Sequence, residues 1–169
     1  GVGAGWNKPE VENHGTEFSE RWRVLRERIL AMKTIWTEEE PEFHGEFINF
    51  EKMWSFPKPI QKGGPPIWIG SNSKYVGERV AEYGDGWLPI GGRPGDGTVE
   101  SVKAACTKRG RSYQDLDLAL FLAPLNEREL EEQLAFGYNH VVFGLPSDSR
   151  EVVLPVLDKI MALKEKVLR

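Results

Sequence analysis

Three small polar residues stand where an apolar run stops at Gly70 and a helical pattern begins: Ser71, Asn72 and Ser73. The first backbone N–H groups of a helix have no partner within it, and the helix dipole adds partial positive charge there. Such a turn can therefore hold a phosphate or another anion. The same residue types are also preferred helix N-caps. From local chemistry alone, an anion site and a plain helix cap are equally supported.

A second stretch, GVGAGW at residues 1–6, carries glycines at alternate positions. Backbone without side chains lets a ligand approach closely, and α/β proteins bind ligands at the carboxyl ends of their strands. The spacing is not the GxGxxG fingerprint, and the next long helical pattern begins too late to offer its N-terminus to a pyrophosphate. Ligand contact and a flexible chain terminus both remain open as interpretations.

No residue can be named from the sequence as a catalytic acid, base or nucleophile. His14, His44 and His140 are far apart and fit no metal-ligand spacing, so no metal site is expected. His140 opens a predicted strand and is interpreted as structural, whereas the other two histidines lie in loops that could reach a site. Trp6 and Trp87 fall near strand ends, where they could line an aromatic cofactor or fill the core.

From residue 67 onwards, short apolar runs alternate with helical patterns. The runs are continuous rather than alternately polar and apolar, as expected for parallel strands buried on both faces. Strands are predicted at 67–69, 86–90, 116–123 and 140–144, and helices at 73–83, 98–109, 127–136 and 150–167. With GVGAGW and the first long helix as a further unit, about five βα units indicate an α/β fold with a parallel sheet.

The part of the chain before residue 67 contains a long helix and an arm. Apolar residues recur every three or four positions between 18 and 37, which predicts an amphipathic helix with one buried face. Residues 41–66 are rich in proline and glycine towards their end and are interpreted as an insertion arm. Phe43, Gly45 and Phe47 suggest that the arm begins as a short hairpin or as an extended segment.

The composition is that of a globular protein with a real core, at 40% hydrophobic and 28% charged residues. The length of 169 residues predicts a single domain over 1–169. The net charge of −4 gives no electrostatic reason to expect nucleic acid or an anionic membrane as a partner. The single cysteine, Cys106, cannot form an internal disulfide, and a cytoplasmic location is expected.

Four segments taken together resemble the luciferase-like monooxygenases, the bacterial-luciferase superfamily of flavin- and deazaflavin-dependent oxidoreductases. They occur in the same order over about residues 1–90: GVGAGW, ERWRVLRERILAMKTIWTEEEPEFHGEFINF, PKPIQKGGPPIWIGSNS and RVAEYGDGWLP. The resemblance implies a (β/α)8 TIM barrel that holds its cofactor at the carboxyl ends of the strands. The chain would then supply strands four to eight of the barrel, with the arm covering the substrate side.

The resemblance also implies which residues contact the cofactor, either FMN or coenzyme F-420. Those beside the ring would be Gly3, Ala4 and Gly5, and those at the ribityl or phosphate end would be Gly70, Ser71, Asn72 and Ser73. The chain would act on a small-molecule substrate as part of an oxidoreductase or monooxygenase. A homo-oligomer, in the form of a dimer, is expected.

The chain departs from the family's pattern, because a barrel of this class takes about 250 residues and the chain has 169. On the resemblance, strands one to three would be missing. The chain is therefore expected to be a partial barrel: the remainder of a longer enzyme, a short relative completed by oligomerisation, or a deliberate truncation. Activity is expected of the intact enzyme and is in doubt for this chain. The alternative is a non-catalytic flavin-binding or oligomerising module. An unrelated barrel enzyme for phosphorylated sugars would not explain the arm.

Overall fold

The computed structural model of the protein describes residues 1–90 and 98–167. The chain folds as two compact units, one of Val2–Ile67 and the other of Gly1 with Trp68–Arg169. The first unit contains the helices before residue 41 and the hairpin of the arm, and the second contains a parallel sheet with its helices. The α/β class with a parallel sheet is thus confirmed, while a single domain over 1–169 stays a prediction.

The first unit begins with two helical segments. Helix α1 spans Lys8–Asn13, a 3-10 turn spans Phe18–Glu20, and the long helix α2 spans Arg21–Thr37, which confirms the helix predicted at 18–37. Helix α1 was not predicted, although a proline in its first turn and Gly15 after its end, at φ +78°, are the usual signals of a short helix.

The strand predicted at GVGAGW is wrong for most of its length. Among residues 1–6, only Val2 adopts a bridge position, and none belongs to a named strand of the sheet. Gly5 has φ +81°, a left-handed conformation that ends any extended strand, and a Cβ there would stand 2.7 Å from Val11 Cγ2. The glycines therefore shape a turn rather than a strand.

The first part of the arm folds as a short hairpin, one of the two conformations that the sequence suggested. Strand β1, Phe43–His44, pairs antiparallel with β2, Asn49–Phe50, and the rings of Phe43 and Phe50 stack at 6.2 Å. Glu27 of α2 fixes the turn, because its carboxylate accepts hydrogen bonds from the backbone N–H groups of Glu46, Phe47 and Ile48. The hairpin is therefore attached to the long helix of its own unit.

The second unit contains a four-stranded parallel sheet whose strands follow the order of the chain. The strands are β3 (Trp68–Ile69), β4 (Gly86–Trp87), β5 (Asp117–Phe121) and β6 (His140–Val142). The helices between and after them are α3 (Val76–Tyr83), α4 (Val99–Lys108), α5 (Glu127–Ala135) and α6 (Arg150–Val167). Every strand and helix predicted beyond residue 66 is present, with ends shifted inwards by up to three residues.

The core of the second unit lies between the sheet and its helices. The largest fully buried side chains there include Ile69, Val76, Val80, Trp87, Val102, Leu116 and Leu130. Helices α3 and α4 approach so closely that a Cβ at Gly77 would lie 2.5 Å from the carbonyl oxygen of Ser101. Within residues 1–90 and 98–167, no helix is both long and apolar enough to cross a membrane.

Candidate functional site: the turn after strand β3

The turn of Gly70–Ser73 connects the carboxyl end of β3 to α3. Helix α3 starts at Val76, and its N-cap residue Tyr75 makes no side-chain capping hydrogen bond. The backbone oxygen of Ser73 accepts from the N–H of Val76 at 3.1 Å. No side-chain capping hydrogen bond is therefore present at the N-cap residue of α3.

Asn72 fastens this turn to the neighbouring strand. Its Nδ2 donates to the carbonyl oxygen of Ile90 at 3.2 Å, and its Oδ1 accepts from the N–H of Ile90 at 2.9 Å. The indole of Trp87 donates to the carbonyl oxygen of Ser71 at 2.7 Å. Trp87 is 1% exposed, so it belongs to the core. The amide of Asn72 thus has a positional role, and its contact with a cofactor stays a prediction.

Two hydroxyl groups and a guanidinium meet at the same turn. Ser71 Oγ accepts from the N–H of Ser73 at 3.2 Å and lies 3.2 Å from Ser73 Oγ. Arg79, on α3, donates from Nη1 to Ser73 Oγ at 3.1 Å, and its guanidinium also lies 5.6 Å from the ring centre of Tyr75. All three polar side chains are half-buried. A positive charge and two hydroxyls are the groups that bind a phosphate.

Arg79 is a functional candidate that is not evident from the sequence. It is the fourth residue of α3 and lies six residues after Ser73, and only the folded turn brings the two side chains together. An arginine within the first two turns of a helix that follows a Ser/Asn-rich strand end is the signal that could have identified it. The guanidinium supplies the positive charge that the serines lack.

The other predicted cofactor residues, Gly3, Ala4 and Gly5, lie in the first unit. They line a cavity of about 300 Å³ together with residues of α1 and α2 and the neighbouring loop: Trp6, Glu10, Val11, His14, Thr16, Arg21, Val24, Leu25 and Arg28. Arg21 Nε donates to the carbonyl oxygen of Gly5 at 3.2 Å, which holds the glycine turn against α2. Because the two sets lie in different units, a single cofactor contacting both stays a prediction.

The remaining candidates divide into structural and open cases. His140 packs its ring 5.2 Å from that of Trp68, and its Nδ1 lies 3.9 Å from Asp117, in keeping with a structural role. Trp6 is 88% exposed, so it is not part of the core. Cys106 is buried, and burial raises the pKa of its thiol, opposed by the nearby Arg111.

One cluster of ionisable groups lies outside these regions. Glu42, His44 and Glu51 on the hairpin each offer a ligand atom, and these atoms lie within 4.8 Å of one another. All three side chains are exposed. The spacing of the histidines does not reveal this cluster, because the two glutamates are nine positions apart and meet only through the pairing of β1 with β2.

The family to which the chain belongs follows from a match to one family model. Residues 1–141 match the model described as luciferase-like monooxygenase. The chain is a member of the luciferase-like monooxygenase family. The match includes the turn of Gly70–Ser73. It continues past the segments that carry the resemblance in the sequence, so that it contains strands β3 to β5 and most of β6.

Several relatives of this luciferase-like chain have been described. An uncharacterised protein of Mycobacterium tuberculosis is 29% identical over 96% of the chain and 57% of its own length. An FMNH2-dependent dimethylsulfone monooxygenase of Pseudomonas putida is 31% identical over 79% of the chain and 38% of its own length. An F-420-dependent glucose-6-phosphate dehydrogenase of Rhodococcus hoagii is 28% identical over 69% of the chain and 36% of its own length. The chain thus spans about a third to just over half of these relatives.

Solved structures show the same fold at low sequence identity. An F-420-dependent secondary alcohol dehydrogenase, in complex with an F-420–acetone adduct, superposes with a TM-score of 0.60 at 19% identity, over 95% of this chain and 53% of its own. A coenzyme F-420-dependent tetrahydromethanopterin reductase from Methanopyrus kandleri superposes with a TM-score of 0.54 at 17% identity, over 77% of this chain and 43% of its own. The luciferase-like chain therefore shares its fold with about half of each enzyme.

Proposed function

We propose that this chain is the cofactor-phosphate-holding part of a luciferase-like oxidoreductase or monooxygenase that uses reduced FMN or coenzyme F-420. The observation that carries the proposal is the meeting of Ser71, Ser73 and Arg79 at the carboxyl end of β3. The relatives named as FMNH2-dependent and F-420-dependent support it, because both cofactors carry a phosphate group.

The residues at this turn fit a phosphate. A guanidinium matches phosphate oxygens geometrically, and the serine hydroxyls can rotate to donate to an oxygen placed beside them. The carboxyl end of a parallel strand is also where barrel enzymes bind their ligands. The fixed backbone of the turn, held by Asn72 and by the indole of Trp87, would keep these donors in place before the cofactor arrives.

The ring of the cofactor is assigned in this proposal to the glycine turn of Gly3, Ala4 and Gly5. The cavity beside these residues and the absence of large side chains at them support the assignment. The cofactor would supply the redox chemistry, and the chain would bind it, orient it and limit the access of water. No residue of the described ranges is assigned as a catalytic acid or base.

The proposal includes a partial (β/α)8 barrel. In doubly wound sheets the strand order reverses at a switch point, whereas in barrels it follows the chain. The order β3-β4-β5-β6 follows the chain throughout, with a helix after each strand, which supports the barrel. A small-molecule substrate and a homo-oligomeric state belong to the same proposal.

The test is a fluorescence titration of the chain with FMN and with coenzyme F-420. The Ser71→Ala/Ser73→Ala double variant and the Arg79→Gln variant should each bind more weakly. A hydrogen bond to a charged group contributes about 1.5 to 3 kcal/mol, which corresponds to about 10- to 100-fold in the dissociation constant. Riboflavin, which lacks the phosphate, should bind the variants and the unaltered chain equally.

Matched controls remove the same chemical groups elsewhere. Ser19→Ala/Ser55→Ala removes two hydroxyls far along the sequence from the turn, and Arg128→Gln removes an exposed guanidinium that pairs only with Glu132 in the described part of the chain. These variants should bind FMN as the unaltered chain does. If the Ser71/Ser73 and Arg79 variants bound FMN and F-420 as tightly as the unaltered chain does, the phosphate assignment would be refuted. If the unaltered chain bound neither cofactor measurably, the proposal would be refuted for this chain.

A non-catalytic oligomerising module is the second candidate. Apolar side chains are exposed on and beside β5 and β6, namely Phe121, Leu122, Val142 and Leu145. Apolar surface of this kind often marks an association site. Sedimentation velocity without cofactor distinguishes the candidates: a stable dimer that binds neither cofactor supports the module, whereas a monomer, or a dimer that binds FMN, argues against it.

A further inference from the structure

The hairpin of the arm brings three metal-ligating side chains to one face. Phe43 pairs with Phe50, and His44 pairs with Asn49. Continuing this antiparallel register by one residue places Glu42 opposite Glu51. Residues two positions apart on a strand point to the same side, so Glu42 and His44 share a face. The stacked phenylalanine rings belong to the alternate positions and therefore to the other face.

The ligand atoms of the three side chains already converge. One imidazole nitrogen and two carboxylate oxygens lie within 4.8 Å of one another, and His44 Nε2 is 4.0 Å from Glu42 Oε2. Small rotations of the exposed side chains would bring all three atoms to about 2.0–2.2 Å from a common Zn²⁺ ion. The backbone pairing of β1 with β2 provides this convergence before any ion is present.

The charges on this face favour a cation. Within residues 1–90 and 98–167, neither Glu42 nor Glu51 forms an ion pair with a lysine or an arginine, and the ion pair of Glu42 is with His44. Two like charges directly opposite each other destabilise an antiparallel pair. By contrast, Glu46 at the turn of the same hairpin is paired with Arg23. A bound divalent ion would remove the repulsion between the two glutamates.

We propose that Glu42, His44 and Glu51 form a surface site for a divalent transition-metal ion, Zn²⁺, with water completing its coordination. The imidazole decides the class of metal, because Mg²⁺ and Ca²⁺ prefer oxygen ligands alone while Zn²⁺ takes histidine nitrogen together with carboxylate oxygen. Three protein ligands with an open position are a known coordination for Zn²⁺. The site is independent of the cofactor proposal, since none of its residues lies at the glycine turn or in Gly70–Ser73.

The test is a Zn²⁺ titration of the chelator-treated chain, followed by competition with a chromophoric chelator. One equivalent should bind, and His44→Ala and Glu51→Gln should each weaken binding at least tenfold, because even changes beyond the direct ligands cost about 10- to 100-fold in metal affinity. His14→Ala and Glu10→Gln remove the same groups from another exposed region of the first unit and serve as matched controls. Circular dichroism verifies that each variant is folded.

A second measurement uses the unaltered chain and does not depend on how the variants fold. The imidazole signals of His44 in NMR spectra should shift on addition of one equivalent of Zn²⁺, while those of His14 and His140 should not. Mg²⁺ at the same concentration should leave all three unchanged. Unaltered Zn²⁺ affinity in His44→Ala, loss of the site in His14→Ala, or an equal response to Mg²⁺ would each overturn the proposal.

Discussion

Glu27 of α2 accepts three hydrogen bonds from the turn of the hairpin, and replacing it tests how the arm is attached to that helix. Glu27 Oε2 accepts from the N–H groups of Phe47 at 2.8 Å and Ile48 at 3.0 Å, and Oε1 accepts from that of Glu46 at 3.0 Å. In Glu27→Gln, one oxygen becomes an NH2 group that faces an N–H donor, and the remaining bonds lose their charge. The shape of the side chain is unchanged.

The expected loss follows from these bonds. Hydrogen bonds to charged groups contribute about 1.5 to 3 kcal/mol and neutral ones about 1 kcal/mol. With one bond lost, two weakened and part of the gain screened by solvent, Glu27→Gln should lower the free energy of unfolding by about 1 to 2 kcal/mol. For a chain of this size, each kcal/mol corresponds to about 2–4 °C in the midpoint of thermal unfolding.

The effect must also depend on pH in a defined direction. Partial burial opposes ionisation of Glu27, but the three N–H donors outweigh it and hold the pKa of the carboxyl below its ordinary value of 4.5. A lowered pKa in the folded state adds stability that is complete above the unfolded value and is lost as pH falls through the folded value. The difference between Glu27→Gln and the unaltered chain should therefore be constant from pH 6 to 8 and shrink below about pH 4.5.

The assay is thermal unfolding followed by circular dichroism at pH 7 and pH 4, with hydrogen exchange of the Phe47 and Ile48 amides as the local measurement. Those two amides should exchange faster in Glu27→Gln. Glu46→Gln is the control, since its pair with Arg23 is exposed and should contribute little to stability. Equal stability of the two proteins at pH 7, or a difference that does not shrink at pH 4, would refute this account of the hairpin.

Two further substitutions test the second unit. Asn72→Ala removes both hydrogen bonds to the backbone of Ile90 and should lower the free energy of unfolding by about 1 to 3 kcal/mol. The measurement is urea unfolding without any cofactor, and an unchanged midpoint would mean that the amide does not hold the turn. Gly77→Ala places a Cβ 2.5 Å from the carbonyl oxygen of Ser101, so it should separate α3 from α4 and cost about 1 to 3 kcal/mol. An unchanged urea midpoint in Gly77→Ala would argue against the close approach of the two helices.

Local pattern was enough to predict most of the secondary structure. The helix at Arg21–Thr37 and the alternation of strands and helices after residue 66 follow from apolar periodicity and turn residues, which are properties of neighbouring positions. The GVGAGW strand failed because a strand needs partners elsewhere in the chain, and a left-handed Gly5 prevents extended pairing. Helix α1 could have been found from its proline and the following glycine.

The sequence by itself determined the α/β class, the position of the Ser/Asn-rich turn at a strand end, and the family to which its motifs belong. Only the tertiary structure decided what those residues contact. Arg79 meets Ser73 across six positions, Asn72 meets Ile90 across eighteen, and Glu27 meets the hairpin across about twenty. The physical reason is that hydrogen bonds and ion pairs depend on distances of about 3 Å in space, which periodicity along the chain does not specify.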